Sequence, residues 1–247
     1  MMSFQKTIRQ VLVLVFSLFH FTAFSLNNSK IDSLLTRLEE AESDSVRVNV
    51  NIELSQHHIT TDLSAAMEYA ENAVELAEKT GNPEVLSRSL NNIGNVCFNQ
   101  GFFEMALTHF VRCLEINSSS GNERGIASIL INIGAIYLGT GNFRQAKENF
   151  TRALKKFKQL EQTFRNEDYE IEIVTLYNNL GIACQNLKEY RQAENYYISG
   201  IELAKKDPEN AFLLANLNNN LASLLLDLKK ADEAYHLISE ALEIRLK

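Results

Sequence analysis

The chain has few residues that interrupt helices. Its 247 residues include only two prolines, Pro83 and Pro208, ten glycines and no tryptophan, whereas 45% are hydrophobic. Proline and glycine are the poorest helix formers, while Ala, Leu, Glu and Lys are among the best. This composition excludes collagen-like and proline-rich disordered chains and favours an all-helical protein.

Cysteine is equally scarce, and no catalytic motif is present. Cys97, Cys113 and Cys184 are an odd number for a disulfide framework, so we expect small buried residues. A Cys97–Cys113 bridge is the alternative in an oxidising compartment. The adjacent His57 and His58 lack the i, i+4 spacing of metal ligands, and no phosphate-binding glycine loop or nucleophile elbow occurs. We predict a protein that is not an enzyme and needs no metal or cofactor.

A long apolar run occurs only within the first 25 residues. Lys6 and Arg9 precede an almost wholly apolar segment at 11–24, and Ala23 and Ser25 are small residues that suit a cleavage site. The run has about 14 residues, fewer than the roughly 20 that a membrane-spanning helix needs. We predict a signal peptide over residues 1–25 and a periplasmic or other extracytoplasmic location. An uncleaved anchor is the alternative.

Acidic residues outnumber basic ones. The chain has 24 Lys and Arg against 31 Asp and Glu, a net charge of −7. Cleavage after Ser25 leaves 22 basic residues against 31 acidic ones, a net charge of −9. Because such a surface repels phosphate backbones, we do not expect a nucleic acid partner. No transmembrane segment is expected beyond the signal sequence.

A small residue followed twelve positions later by an alanine occurs four times. The pairs are Gly94 and Ala106, Gly134 and Ala146, Gly181 and Ala193, and Ala222 and Ala234. A large apolar residue stands four positions after each alanine, at Phe110, Phe150, Tyr197 and Ile238. Only small residues fit where two helices cross closely. We therefore predict that the members of each pair face each other across a helix crossing, with the large residue beside it.

These positions resemble the tetratricopeptide repeat (TPR). An earlier, degenerate copy has Leu54 in place of the glycine but keeps Ala66, Ala70 and Ala73. The resemblance implies an all-α fold, a right-handed α-solenoid of antiparallel helix pairs, whose partner is a protein or a peptide. It implies five repeats within residues 47–247, at approximately 47–80, 87–120, 127–160, 174–207 and 215–247.

The two ends of the array differ. Residues 29–42 predict a capping helix with Ile31, Leu34, Leu35 and Leu38 on one side. At the other end, Leu242, Ile244 and Leu246 are expected to be partly uncovered. Three explanations remain open, namely a truncated chain, self-association through the uncapped C-terminal repeat, or a last helix that is polar enough.

Asparagine recurs at two positions of the first helices, although it is a poor helix former. The recurrent residues are Asn92, Asn132, Asn179 and Asn220, preceded by Asn91, Asn178 and Asn219, with Asn95 and Asn186 further along the helices. The TPR resemblance places these positions in or beside the concave groove. There an amide can both donate to and accept from a peptide backbone. The alternative is that the asparagines bridge adjacent helices.

Two functions follow from these features. The first is an exported scaffold that binds a protein or peptide. The second is the sensory segment of a bacterial signal-transduction protein, a histidine kinase or a transcriptional regulator. The TPR resemblance suggests this second role because such sensors carry similar repeats next to an output domain, which is missing from this chain.

Overall fold

The computed structural model describes residues 29–164 and 168–246, whose regular structure is entirely helical. The predicted signal peptide lies outside the described residues. The chain divides into two compact units, Met1–Gln100 and Gly101–Lys247. The predicted all-α fold of antiparallel helix pairs is confirmed.

The first unit contains four helices within its described residues. They are α1 (29–39), α2 (Asp44–His58), α3 (Leu63–Thr80) and α4 (Pro83–Asn99). The helix α2 packs against α3, and α3 packs against α4. Leu34 of α1 is buried together with Val50 and Leu54 of α2. The apolar side of α1 therefore lies on the first helix pair, where a capping helix is expected.

The second unit contains seven α-helices and one short 3-10 turn among its described residues. They are α5 (Phe103–Ser120), α6 (Glu123–Gly139), α7 (Phe143–Thr163), α8 (Glu170–Asn186), α9 (Tyr190–Ala204), the 3-10 turn Pro208–Asn210, α10 (Ala211–Asp227) and α11 (Ala231–Leu246). The hairpins α6–α7, α8–α9 and α10–α11 pack against one another in sequence order, through the contacts of α7 with α8 and of α9 with α10. The first helices α6, α8 and α10 are neighbours in this order.

Each first helix begins a few residues before the repeat boundary drawn from the sequence. The helices start at Asp44, Pro83, Glu123, Glu170 and Ala211, against boundaries at 47, 87, 127, 174 and 215. Side-chain caps set several of these starts. Ser43 accepts from the backbone N–H of Val46, Asn82 from that of Glu84, and Asn122 from that of Gly125. These caps satisfy N–H groups that have no partner within the helix.

The turn between the two helices of a repeat has a left-handed residue in four of the five repeats. Gly101 and Gly141 hold this position with φ of +79° and +77°, and Lys188 and Lys229 hold it with φ of +61° and +63°. Glycine adopts this conformation without a steric penalty, whereas a side chain costs about 1–2 kcal/mol. The turns after α8 and α10 are therefore strained relative to the turn after α6.

The small residue of each repeat accommodates an aromatic ring. A Cβ atom added to Gly134 would lie 2.6 Å from a ring carbon of Phe150, and one added to Gly181 would lie 2.3 Å from a ring carbon of Tyr197. In these two repeats the atoms nearest to the glycine belong to the ring. That the glycine also faces the alanine twelve positions later stays a prediction. The ring, expected beside the crossing, lies against the glycine backbone, and both rings are fully buried.

Ala222 replaces glycine in the last repeat, where Ile238 replaces the ring. Ala222 is 1% exposed, while Ile238 is 44% exposed. A branched aliphatic side chain lacks the flat, wide ring that needs a bare backbone. The size of the small residue therefore matches the shape of the side chain four positions after the alanine.

Asn218 is a polar residue at a core position of α10. It occupies the position held by Leu90, Leu130 and Tyr177 in other repeats, four residues before the small residue. Its side chain is fully buried, and neither Oδ1 nor Nδ2 has a hydrogen-bond partner among the described residues. An unsatisfied buried amide costs roughly 1–3 kcal/mol, so this repeat is less stable than its apolar content indicates.

Gly134→Ala is expected to destabilise the protein by about 1–2 kcal/mol, because the clash with Phe150 outweighs the better helix propensity of alanine. Urea unfolding followed by circular dichroism measures the change. Gly139→Ala is the matched control in the same helix, since nothing lies within 4 Å of its added Cβ, and it should not destabilise. The double variant Gly134→Ala, Phe150→Leu should lose less free energy of unfolding than the sum of the two single losses, because the two residues are in contact. Additive losses would contradict the contact.

Asn218→Leu is expected to raise the free energy of unfolding by about 1–3 kcal/mol, because it removes two unsatisfied polar atoms with little change in volume. The reverse change at the equivalent position, Leu130→Asn, should lower it. Both are measured by the same urea titration. A destabilised Asn218→Leu variant would show that the amide has a partner or a packing role that leucine cannot supply.

Candidate functional site

Six amide side chains lie on two neighbouring first helices of the second unit. We call them the amide strip, and they are Asn178, Asn179, Gln185 and Asn186 on α8 with Asn219 and Asn220 on α10. At 100° per residue the members on each helix fall within an arc of about 120°. All six are partly or fully exposed. The strip therefore presents amide donors and acceptors from adjacent helices on one surface.

Two members of the amide strip are hydrogen-bonded to each other across the two helices. The Nδ2 group of Asn220 donates to Oδ1 of Asn178 at 2.7 Å. Because each amide has two N–H groups and a carbonyl oxygen, the bond leaves the Asn178 N–H groups and the Asn220 carbonyl oxygen for other partners. These two asparagines thus bridge adjacent helices and still present polar atoms.

Gln185 is a member of the strip that the repeated asparagines do not reveal. Its Nε2 donates to Oδ2 of Asp227 on α10 at 2.9 Å, and its Oε1 accepts from the hydroxyl of Tyr197 at 3.1 Å. Burial raises the pKa of Tyr197 far above its ordinary value, so this hydroxyl stays a donor at physiological pH. The network holds Gln185 and Asp227 in fixed positions at the end of the strip.

Asn179, Asn186 and Asn219 complete the strip. Asn186 is exposed and donates to the carbonyl oxygen of Ile182 in its own helix. Asn179 and Asn219 are partly exposed, and their side chains make no hydrogen bond within the described part of the chain. These two amides are therefore the most available for a ligand.

The side chain of Asn92 in the first unit is buried and hydrogen-bonded within the fold. It is 3% exposed, and its Nδ2 donates to the Ser55 hydroxyl at 2.9 Å. That hydroxyl donates in turn to the carbonyl oxygen of Ala66, also at 2.9 Å. This relay links α4 to α2 and α3 and corresponds to the bridging alternative for the repeated asparagines.

The remaining predicted asparagines lie on the surfaces of their own units. Asn91 and Asn95 are partly exposed on α4, and the main-chain carbonyl oxygen of Asn95 accepts from the side chain of Asn99. Asn132 is partly exposed on α6. The position before it, which is asparagine in the other repeats, is an isoleucine in this helix. The bonds made by Asn92 and Asn220 show that this recurrent position faces the preceding first helix in both units.

The cysteines occupy apolar, buried positions. All three are less than 2% exposed and form no disulfide. Burial raises the pKa of the Cys184 thiol to about 11 and also raises the pKa of Cys97. Because the thiolate is the reactive form, both thiols are protonated and unreactive near neutral pH.

The described residues hold neither a metal cluster nor a membrane span. No three His, Cys, Asp or Glu side chains within residues 29–164 and 168–246 are placed to bind a metal ion. No helix in the same residues combines the length and the apolar character needed to cross a membrane.

Family models match two ranges of this chain. Family models for the tetratricopeptide repeat match residues 85–159 and 174–207. No match was found among curated proteins. Both matched ranges contain glycines of the repeated pattern, Gly94 and Gly134 in the first and Gly181 in the second.

Solved structures share the fold at low sequence identity. BtubC (BKLC) from P. vanneervenii is 20% identical with a TM-score of 0.75, covering 89% of this chain and 91% of that one. A Rap protein in complex with Competence and Sporulation Factor is 16% identical with a TM-score of 0.66, covering 92% and 72%. The apo form of RapI is 17% identical with a TM-score of 0.61, covering 88% and 89%. Together, the repeat pattern, the helix pairs and the family models show that this chain is built from tetratricopeptide repeats.

Proposed function

We propose that this TPR chain is an exported, non-enzymatic scaffold that binds an extended peptide or protein segment on the amide strip. The observation that carries the proposal is the exposure of the Asn179 and Asn219 amides beside the Asn178–Asn220 bridge. Asparagine is unfavourable inside a helix, so several of them on one surface call for a compensating role.

An amide surface suits a peptide backbone. Each peptide unit offers one N–H donor and one carbonyl acceptor, and a side-chain amide complements both. The strip on α8 runs from residue 178 to residue 186, a rise of about 12 Å along the helix, which matches three or four residues of an extended chain. Backbone recognition of this kind selects an extended conformation more strongly than a particular sequence.

The negative charge at the strip and on the chain favours some classes of partner over others. Asp227 is a carboxylate at the end of the strip, hydrogen-bonded to Gln185. The chain as a whole has a net charge of −7. A neutral or basic segment therefore fits better than an acidic one or a nucleic acid.

A second candidate function is the sensory segment of a bacterial signal-transduction protein, either a histidine kinase or a transcriptional regulator. The observation that favours it is the shared fold with the Rap protein solved in complex with Competence and Sporulation Factor. The two functions differ in whether binding changes the activity of an attached output domain. A genomic reading frame that continues past Lys247 into such a domain would favour the second.

Peptide binding is tested by selecting ligands for the purified chain from a random peptide library and measuring their affinity by calorimetry. The Asn179→Ala, Asn219→Ala double variant is expected to bind them at least about 10-fold more weakly, because two amides lose their hydrogen bonds. Its melting temperature should not fall, because alanine is a better helix former than asparagine.

Asn195→Ala is the matched control for peptide binding, because Asn195 is an exposed asparagine on the second helix α9. It should bind the selected peptides normally. Asn220→Ala should lower both affinity and melting temperature, because it also breaks the bond to Asn178. Unchanged affinity of the double variant would refute binding at the strip.

Export is tested by mass spectrometry of the chain recovered from fractionated bacterial cells. We expect it in the periplasmic fraction with a mass that lacks residues 1–25, because the basic start, apolar run and small residues suit signal peptidase. Ala23→Lys should retain the precursor mass, since a long charged side chain does not fit the cleavage site. A full-length chain in the cytoplasmic fraction would contradict export.

A further inference from the structure

The last helix has a continuous apolar surface on its outer side. Tyr235, Ile238, Leu242 and Leu246 are 70%, 44%, 57% and 77% exposed. At 100° per residue these four side chains fall within an arc of about 80°. We call this surface the α11 stripe. Four large apolar side chains in one row are unusual on the surface of a monomer.

The corresponding surfaces of the preceding second helices are covered. Phe150 and Tyr197 correspond to Ile238 and are fully buried, and Leu154 and Ile201 correspond to Leu242 and are each 9% exposed. The helix α8 packs on α7, and α10 packs on α9. The α11 stripe is therefore a packing surface of the same kind, exposed within the described residues.

One position of the α11 stripe differs from the two covered surfaces. Lys147 on α7 forms an ion pair with Glu189 of the next repeat. Glu194 on α9 is 3.9 Å from the ammonium group of Lys230 in the next repeat. Tyr235 stands at this position on α11. The α11 stripe therefore lacks the charge that pairs with a following repeat, and an aromatic side chain of the type that is enriched at protein interfaces takes its place.

The stripe is complementary to itself in the antiparallel direction. A two-fold axis midway between Ile238 and Leu242 places Ile238 against Leu242 of the second copy, and Tyr235 within one residue of Leu246. The same register sets Glu243 within one residue of His236 of the second copy. This flanking contact is favourable, since an imidazole donates to a carboxylate. Arg245 lies outside the contact, because its guanidinium donates to Asn216 of its own chain at 2.9 Å.

We propose that two copies of this chain associate through the α11 stripe as an antiparallel, two-fold symmetric helix pair. An isologous contact of this type closes on itself and does not grow into filaments. The contact is small, near the lower limit of about 1,000 Å² for a specific interface, so the dissociation constant is expected in the micromolar range. The proposal is independent of peptide binding, because the amide strip lies on α8 and α10.

Sedimentation equilibrium of the purified chain between about 5 and 200 µM tests the association, over the concentration range that such a small interface requires. We expect a monomer–dimer equilibrium, which Leu242→Lys weakens at least about 100-fold by placing charges in an apolar contact. Leu226→Lys is the matched control, because Leu226 on α10 is 51% exposed and lies outside the stripe. A monomeric wild-type chain at 200 µM, or a dimer that withstands Leu242→Lys, would overturn the proposal.

Cysteine cross-linking tests the antiparallel register. An oxidised mixture of Ile238→Cys and Leu242→Cys variants should give more linked dimer than either variant alone. More linkage in the separate variants than in the mixture would overturn the antiparallel arrangement. Leu242→Lys should melt like the wild type and bind the selected peptides normally, so loss of self-association is distinguishable from misfolding and from failure of the amide strip.

Discussion

The contact between an aromatic ring and a bare helix backbone determines how closely the helices of a repeat approach. Phe150 lies against Gly134 and Tyr197 against Gly181, and no room remains for even one added carbon. Both rings belong to clusters that continue into the next hairpin. The cluster of Phe150 includes Ile173 and Leu176 of α8, and that of Tyr197 includes Leu217 of α10. The same side chain therefore closes its own hairpin and supplies part of the surface on which the following first helix packs.

The sequence predicts this architecture well because the repeat appears as a period. Small, apolar and aromatic residues recur at fixed spacing, and the helices follow that spacing. The contact of the glycine was predicted less well, since spacing alone does not show whether Ala146 or Phe150 lies nearest to Gly134. The helix starts also depend on local caps such as Asn82 and Asn122, which precede the periodic residues and leave no mark in the pattern.

The candidate site was only partly predictable for a different physical reason. A repeated asparagine indicates where a side chain starts on the helix, but its hydrogen bonds depend on what the preceding repeat offers. Asn92 meets the hydroxyl of Ser55, and Asn220 meets the amide of Asn178. Gln185 and the buried Asn218 break the period and are visible only once the helices are packed. Of the two alternatives that the sequence leaves open, bridging is present at Asn92 and Asn220, whereas the proposed ligand binding depends on the neighbouring amides Asn179 and Asn219.

The left-handed lysines of the second unit have a consequence for local dynamics. The α6–α7 hairpin turns on a glycine, whereas the α8–α9 and α10–α11 hairpins turn on Lys188 and Lys229, whose side chains disfavour that backbone conformation. The segments with the least stable native conformation are the first to unfold locally. Amide hydrogen exchange should therefore be faster in the α8–α9 and α10–α11 hairpins than in the α6–α7 hairpin, so that the part of the unit that carries the amide strip opens more often than the part before it.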